Sequence, residues 1–257
     1  MDPSPNPVEQ QLAEARRENE ELKRRLAELE QTIAATNASS AEMEHLIYAL
    51  SHDFRQPLRT MGSYAQLLER QYARNPDAAE MTGFIISGAN EMRSLIEDVL
   101  KYSRVKSAPQ RTMVELSAVV AWAAANVQSR VHESGAQIKW GALPTVLVNE
   151  SQFVQVFEEL FTNALKFRGS EAPTIEVDAS EDGEDYLVGV RDNGIGIEPR
   201  YQETIFAPFK RLQGKEIPGS GLGLAICRKI VRAHGGKIWV ESDGQHGSVI
   251  RFTIPAA

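Results

Sequence analysis

Apolar and small residues recur alternately four and three positions apart along the first part of the chain. The residues in this series are Val8, Leu12, Ala15, Asn19, Leu22, Leu26, Leu29 and Ile33. Such spacing is a heptad repeat, which is typical of coiled coils. Asn19 takes an a position, where a buried amide pairs best with its own copy in a parallel partner. The pattern predicts that residues 1–40 form a Pro-rich start and a parallel, in-register coiled-coil helix.

The charged positions beside this seam agree with a dimer. Glu18 would face Lys23 of the partner helix and Arg25 would face Glu30, so both pairs are opposite in sign. A single solvated helix is the alternative interpretation, and it leaves the heptad spacing unexplained. The seam fits a natural signalling helix as well as an added dimerisation segment.

Apolar residues continue at helical spacing through the next segment. They include Met43, Ile47, Leu50, Phe54 and Leu68, and then Met81, Ile85, Met92, Leu95, Val99 and Tyr102. Between the two groups, residues 74–77 (Arg-Asn-Pro-Asp) are a turn signal followed by a helix start. Residues 41–108 are therefore predicted to form an antiparallel helical hairpin, and two chains would form a dimeric four-helix bundle. We expect a linker from Ser103 to Pro109.

From Met113 onward the chain mixes helical and strand periodicity. Helices are predicted over residues 116–134, 151–167 and 221–233, and strands near Met113, Ile138, Val146, Ile175, Leu187, 238–240 and 249–254. Residues 109–257 are predicted to form a separate, C-terminal α/β sandwich. The chain is thus expected to be a multi-domain protein.

Composition narrows the classes of function. The 257 residues are 42% hydrophobic and 25% charged, as in an ordinary globular protein, and the formal net charge is -7. A negative chain is not expected to bind nucleic acid through its charge alone. Cys227 is the only cysteine, so an intrachain disulfide is impossible. With no leader-like or membrane-spanning run, we expect a cytoplasmic protein without a membrane partner.

One candidate reactive residue lies in the first helix of the hairpin. Residues 51–58 read Ser-His-Asp-Phe-Arg-Gln-Pro-Leu, which places His52 beside Asp53 and ahead of Pro57. An exposed imidazole can attack a phosphoryl group when a neighbouring carboxylate accepts its other proton and fixes the tautomer. Pro57 can kink the helix at this point. A solvated, inert histidine is the alternative, as at His45, which lacks the Asp and the Pro.

Three further motifs follow in order in the second domain. Residues 163–167 (Asn-Ala-Leu-Lys-Phe) end a helix, residues 192–197 (Asp-Asn-Gly-Ile-Gly-Ile) leave a strand, and residues 219–224 (Gly-Ser-Gly-Leu-Gly-Leu) open a helix. The side-chain oxygen of Asn163 is a suitable ligand for Mg²⁺, whose other positions phosphates and water can fill. Read singly, the second motif is a hairpin turn and the third a flexible loop. All three together favour a nucleotide site.

The residue types in these motifs suit the parts of ATP. Asp192 could accept the exocyclic amine of adenine, while Gly194 and Gly196 let the backbone approach the base. Gly219, Gly221 and Gly223 would leave backbone amides at the start of a helix accessible, and these amides could bind phosphates.

The chain from about Glu42 to its end resembles the sensor histidine kinases of bacterial two-component systems, close to the phytochrome-like and other soluble light-sensor branches. His52 matches the phosphoacceptor of their H box, Asn163 the metal ligand of their N box and Asp192 their adenine-binding aspartate. The stretch from Gly219 to Leu224, which includes Leu222, matches their second glycine box. Residues 206–211, which include Phe209, resemble their F box.

The resemblance implies a mechanism. ATP and Mg²⁺ would bind in the gyrase/MutL-type domain, under a mobile lid over residues 206–218, with Lys166, Lys210 and Arg211 near the phosphates. Cations there would stabilise the charge on the transferring group. His52 would take the γ-phosphoryl group and pass it to an aspartate in the receiver domain of a response regulator, with a parallel homodimer as the active form.

Two residues depart from the usual family pattern. Glu159 stands one helical turn before Asn163, where many histidine kinases carry Asn, and resembles the water-activating base of the gyrase and MutL ATPases. Gln56 stands where kinases with strong phosphatase activity often carry Thr or Asn, and its amide could orient a water. Glu159 leaves a clamp-type ATPase as an alternative, and Gln56 leaves a response-regulator phosphatase. A degenerate kinase that acts as a scaffold through the coiled coil is a further alternative.

Overall fold

The structure is a computed structural model, which describes Arg25 and residues 54–72, 75–105, 109–212 and 219–256. Residues 1–50 form one unit and residues 51–257 a second. Apart from Arg25, the predicted coiled coil lies outside the described residues. The predicted site residues His52 and Asp53 also lie outside them. The fold below is that of the second unit.

The second unit begins with a helical hairpin. Helix α1 is described over residues 54–71, and helix α2 runs from Pro76 to Arg104. The side chain of Asn75 caps α2 by accepting hydrogen bonds from the amides of Asp77 and Ala78, and Pro76 suits the first turn because it needs no amide acceptor. The predicted hairpin is confirmed. The predicted linker starts too early, because Ser103 still lies in α2 and is buried.

Over the described part of residues 109–256, seven strands follow in two sheets. Their bounds are β1 Thr112–Glu115, β2 Gln137–Trp140, β3 Thr145–Val148, β4 Thr174–Asp182, β5 Asp185–Asp192, β6 Ile238–Glu241 and β7 Ser248–Pro255. β1 and β3 form an antiparallel pair, and the other five form a mixed sheet in the order β2-β4-β5-β7-β6, in which β2 and β4 are parallel. The strands lie where the sequence predicted them.

Four helices accompany the strands. They are α3 Leu116–Asn126, α4 Gln128–Ser134, α5 Glu150–Lys166 and α6 Gly223–Ala233, and a 3-10 turn spans Pro199–Tyr201. The prediction of one helix over residues 116–134 was wrong, because the chain leaves helical geometry at Val127. Neither glycine nor proline marks this break. The buried side chain of Val127 is part of the hydrophobic core.

One hydrophobic core joins the helices to the five-stranded sheet. Phe153, Phe157 and Phe161 of α5 are fully buried, and the rings of Phe153 and Phe157 contact Phe252 of β7 at about 6 Å between centroids. The lone Cys227 of α6 is also fully buried. This arrangement confirms the predicted α/β sandwich.

The hairpin leaves a row of apolar side chains exposed. They are Phe54, Met61, Tyr64, Leu67, Leu68 and Tyr72 on α1, and Met81, Phe84, Ile85 and Met92 on α2.

Among the described helices, none has the length and apolar character needed to cross a membrane.

Candidate functional site

A large open cavity lies against the second half of α5. Glu159, Thr162, Asn163 and Lys166 share one face of this helix, because they are spaced three and four residues apart. All four line the cavity, whose volume is about 1630 Å³. This exceeds the roughly 300–1,000 Å³ of a typical small-molecule pocket. The cavity is wide enough for a nucleotide and remains open to solvent.

Asp192 stands at the end of β5, at the edge of this cavity. Its Oδ1 accepts a hydrogen bond from Gly194 N at 2.8 Å, and its Oδ2 accepts one from Ser248 Oγ at 2.6 Å. Ser248 is the register partner of Asp192 on β7. A Cβ at Gly194 would lie 2.5 Å from the carbonyl oxygen of Phe167, so only glycine fits there. The carboxylate is thus held in one orientation, with acceptor capacity left for a ligand amine.

The glycine loop brings the start of α6 close to α5. A Cβ at Gly223 would lie 2.5 Å from Glu159 Oε2 and 3.8 Å from Asn163 Nδ2. Gly221 has a φ of 74°, and a Cβ there would lie 2.8 Å from the carbonyl oxygen of Lys210. A Cβ at Gly221 would therefore clash with backbone, whereas a Cβ at Gly223 would require the flexible Glu159 side chain to move.

The segment after the 3-10 turn contributes the basic side of the cavity. Lys210 and Arg211 line it, and Phe206 is buried in the core. Phe209 is 62% exposed and has a φ of 60°, a strained conformation for a residue with a side chain. The predicted lid continues into residues 213–218, which lie outside the described residues.

Burial shifts the pKa values of two groups on α5. The pKa of Glu159 is raised, mainly because burial disfavours the carboxylate, although Lys101 of α2 opposes the shift. The pKa of Lys166 is lowered by burial and then by the charge of Arg211. Lys166 Nζ also lies 4.8 Å from the centre of the Phe167 ring. A half-buried acid and several cations thus meet at one end of the cavity.

Most of the predicted binding residues lie together. The cavity lining includes Glu159, Asn163, Lys166, Asp192, Gly196, Lys210, Arg211, Gly219, Gly221, Gly223 and Leu224. Leu222 is instead buried in the core at the start of α6, and the side chain of Phe209 points towards solvent. Gln56 is exposed on α1.

Sequence reasoning missed other residues of the cavity. Ser94, Glu97, Asp98 and Lys101 of α2 line it, and so does Arg130 of α4, whose Nη1 donates a hydrogen bond of 3.2 Å to Thr162 Oγ1. Ser248 was also missed. These residues carry no local motif, and their proximity depends on pairing and packing between distant parts of the chain.

Two protein families match the chain. The family described as His Kinase A (phospho-acceptor) domain matches residues 42–108, and the family described as Histidine kinase-, DNA gyrase B-, and HSP90-like ATPase matches residues 148–257. The chain therefore belongs to the histidine kinases and contains their phosphoacceptor domain and their ATP-binding domain. The resemblance recognised in the sequence is confirmed.

Individual relatives agree with this assignment. The phytochrome-like protein Cph1 of Synechocystis is 39% identical over 236 residues, or 90% of this chain. The chain spans 32% of that relative's length. Full-length ShkA, solved in complex with AMPPNP, has a TM-score of 0.64 at 29% identity, covering 83% of this chain and 46% of ShkA.

A further solved structure supports the fold alone. The histidine kinase ThkA in complex with response regulator protein TrrA has a TM-score of 0.59 at 22% identity, covering 83% of this chain and 61% of that chain. The hairpin and the sandwich thus occur together in other histidine kinases.

Proposed function

We propose that this chain binds ATP with Mg²⁺, transfers the γ-phosphoryl group to His52, and passes it to an aspartate of a response-regulator receiver domain. The observation that carries the proposal is the single cavity in which the α5 face, Asp192 and the glycine loop meet. Asp192 would bind the adenine amine, and the amides at the start of α6 would bind the phosphates. Lys166, Lys210 and Arg211 would stabilise the charge on the transferring group.

The residues present fit a magnesium ion bound together with the nucleotide. Asn163 offers an uncharged oxygen ligand next to the glycine loop. Among the described residues, no group of three or more His, Cys, Asp and Glu side chains could hold a metal by itself. Mg²⁺ in phosphoryl-transfer sites is usually held by one or two protein ligands and the substrate phosphates. When bound, it would neutralise charge on those phosphates.

The exposed apolar row on the hairpin supports a homodimer. Phe84 is 71% exposed and Met81 is 66% exposed, and both lie on a helix of the matched phospho-acceptor domain. Contiguous apolar surface of this kind usually marks an interface. Pairing with a second hairpin would bury it in a four-helix bundle.

The receiver partner follows from the proposed chemistry. A phosphohistidine is a donor that needs an acceptor, and ThkA is a histidine kinase solved with a response regulator. Because ATP and such regulators are present in the cytoplasm, we propose the cytoplasm as the place of action.

The proposal is tested by incubating the purified chain with γ-labelled ATP and Mg²⁺ and treating the labelled chain with acid and alkali. We expect label that is lost in acid and retained in alkali, as for phosphohistidine. His52→Ala and Asn163→Ala should abolish it, whereas His45→Ala, a matched change seven residues earlier in the sequence, should retain it. Full labelling of His52→Ala would refute the assignment of the phosphoacceptor.

A second candidate function is ATP hydrolysis with Glu159 as the base. The supporting observation is the raised pKa of this half-buried carboxylate next to Gly223 at the start of α6. A carboxylate with a raised pKa is a better proton acceptor for water. Phosphate release without labelled protein, lost in Glu159→Gln, would favour this function over transfer to His52.

A further inference from the structure

The side chain of Ser220 links the glycine loop to the second helix of the hairpin. Its Oγ donates a hydrogen bond of 2.6 Å to Asp98 Oδ2 and accepts one of 3.1 Å from Leu222 N. Ser220 is buried, and Asp98 lies 122 residues earlier in the chain. The contact therefore joins α2 of the phosphoacceptor domain to the loop that the proposed function assigns to the phosphates.

The Asp98 carboxylate lies beside the loop that the proposed function assigns to the phosphates. It lines the same cavity as Asn163 and Lys166 and bonds directly to the glycine loop. Its charge raises the pKa of Glu159 and opposes the lowering of the pKa of Lys166, so it acts on both groups at that end of the cavity. An anion next to this loop is favoured by the amides in the first turn of α6, which have no carbonyl acceptor within the helix.

A second attachment joins α2 to α6. Lys229 Nζ of α6 donates a hydrogen bond of 2.9 Å to the carbonyl oxygen of Tyr102 and lies 4.8 Å from the centre of that ring. Neither residue lines the nucleotide cavity. Of the two attachments, the one between Ser220 and Asp98 is therefore the one that a nucleotide can reach.

Building on the nucleotide site proposed above, we infer that Asp98 competes with the phosphates of ATP for Ser220 and for the start of α6. Without nucleotide, the Asp98–Ser220 hydrogen bond holds the glycine loop against α2. A bound polyphosphate repels the Asp98 carboxylate and takes the Ser220 hydroxyl. Nucleotide binding thus removes one attachment between α2 and the ATP-binding domain, and the Asp98–Ser220 bond lowers nucleotide affinity in return.

The first test measures the dissociation constant of AMPPNP by calorimetry for the full chain and for Asp98→Ala. We expect Asp98→Ala to bind about fivefold or more tightly, the lower end of typical coupling between linked sites. Glu91→Ala is the matched control, because it removes the same charge from an exposed position of α2 that does not line the cavity. We expect it to change the affinity by less than about twofold, since exposed charges contribute little. Equal affinities of Asp98→Ala and the unchanged chain would overturn the inference.

The second test separates competition for Ser220 from a general effect of charge. In the unchanged chain, Ser220→Ala removes the bond to Asp98, which should strengthen nucleotide binding. It also removes the hydroxyl that would bind the phosphate, which should weaken nucleotide binding, so the two effects oppose each other. In the Asp98→Ala background it removes the phosphate ligand alone. We therefore expect Ser220→Ala to weaken AMPPNP binding about fivefold more in that background. The same effect in both backgrounds would overturn the competition.

Failure of the inference is distinguishable from failure of the proposed function. If the unchanged chain does not bind AMPPNP, both are overturned. If it binds AMPPNP and phosphorylates His52 but Asp98→Ala has no effect on affinity, the inference alone is overturned.

Discussion

The ATP-binding domain and the helical hairpin bury their apolar residues in different ways. In the ATP-binding domain, α5 packs Phe153, Phe157 and Phe161 fully into a core that a single chain completes. In the hairpin, large apolar side chains such as Phe84 and Leu67 remain mostly exposed. One region therefore buries its apolar residues within a single chain, whereas the other leaves an apolar face that the proposed dimer would cover.

The two regions are joined by the last turns of α2. Val99 and Tyr102 pack against the core of the ATP-binding domain, and Val105 is buried within it. The carboxyl end of α2 thus belongs to both regions. Substitutions at that end of α2 should therefore affect the nucleotide site, whereas substitutions in the middle of α2 should affect the association of two chains.

The largest expected effect is on the core of the ATP-binding domain. Phe157→Ala should lower the free energy of unfolding of that domain by about 3–5 kcal/mol, because it leaves a cavity among packed rings. Urea unfolding followed by tryptophan fluorescence measures this, since Trp122, Trp140 and Trp239 all lie in the ATP-binding domain.

Phe84→Ala is the matched control, because it truncates the same side chain on the exposed hairpin. It should change that transition by less than about 0.5 kcal/mol, as for surface substitutions. Equal losses in the two variants would contradict the distinction between the two regions.

The next effect concerns association. Phe84→Asp places a charge in the apolar face of both hairpins of a dimer. It should raise the dimer dissociation constant at least about a hundredfold, given about 1.5–3 kcal/mol for each of the two buried Phe side chains. Sedimentation equilibrium measures this change. AMPPNP binding by the same variant should be retained, and Glu80→Asp on the same helix should leave association unchanged. A dimer constant unaffected by Phe84→Asp would rule out this face as the interface.

The sequence predicted the elements that carry local signals and missed what depends on packing. Asn75 and Pro76 marked the start of α2, and the apolar spacing gave α5 to within a residue at each end. The break at Val127 was missed because it depends on how that side chain packs and has no glycine or proline. The parallel pairing of β2 with β4 likewise has no local signal.

The candidate site shows the same division. The glycines and Asn163 were found because each belongs to a short motif with a chemical reason. Asp98 and Ser248 were missed, since their contacts with Ser220 and Asp192 bridge 122 and 56 residues. Leu222 belongs to the glycine motif but supports α6 from within the core.

A smaller effect is expected from substitutions at two glycines that have a left-handed backbone conformation. Gly221→Ala should lower the free energy of unfolding by about 1–2 kcal/mol because of the left-handed backbone alone. The loss should be larger because the added Cβ would contact the backbone of Phe209 and Lys210. Gly183, in the turn between β4 and β5, is also left-handed but has open space around it. Gly183→Ala should therefore cost less and leave AMPPNP affinity unchanged, whereas Gly221→Ala should weaken it. Equal AMPPNP affinities would show that the close approach at Gly221 is not required for binding.

The smallest effect is a pH dependence of opposite sign at two carboxylates. Burial raises the pKa of Glu159 above its reference value of 4.5, so its ionisation favours the unfolded chain. The stability that it contributes in acid is lost as the pH rises through its folded pKa. Glu159→Gln has no proton to lose, so it should gain stability relative to the unchanged chain over this rise, as measured by urea unfolding from pH 4 to 8.

Glu241 provides the contrast. A hydrogen bond from Arg251 lowers its pKa, so its stabilising contribution is present above the unfolded value and is lost as the pH falls through the folded one. Glu241→Gln should therefore lose stability relative to the unchanged chain near neutrality and match it in acid. Because Glu241 lies on the exposed surface, its effect should also shrink in high salt, whereas that of the half-buried Glu159 should persist better. Parallel pH profiles for the two variants would contradict burial as the cause at Glu159.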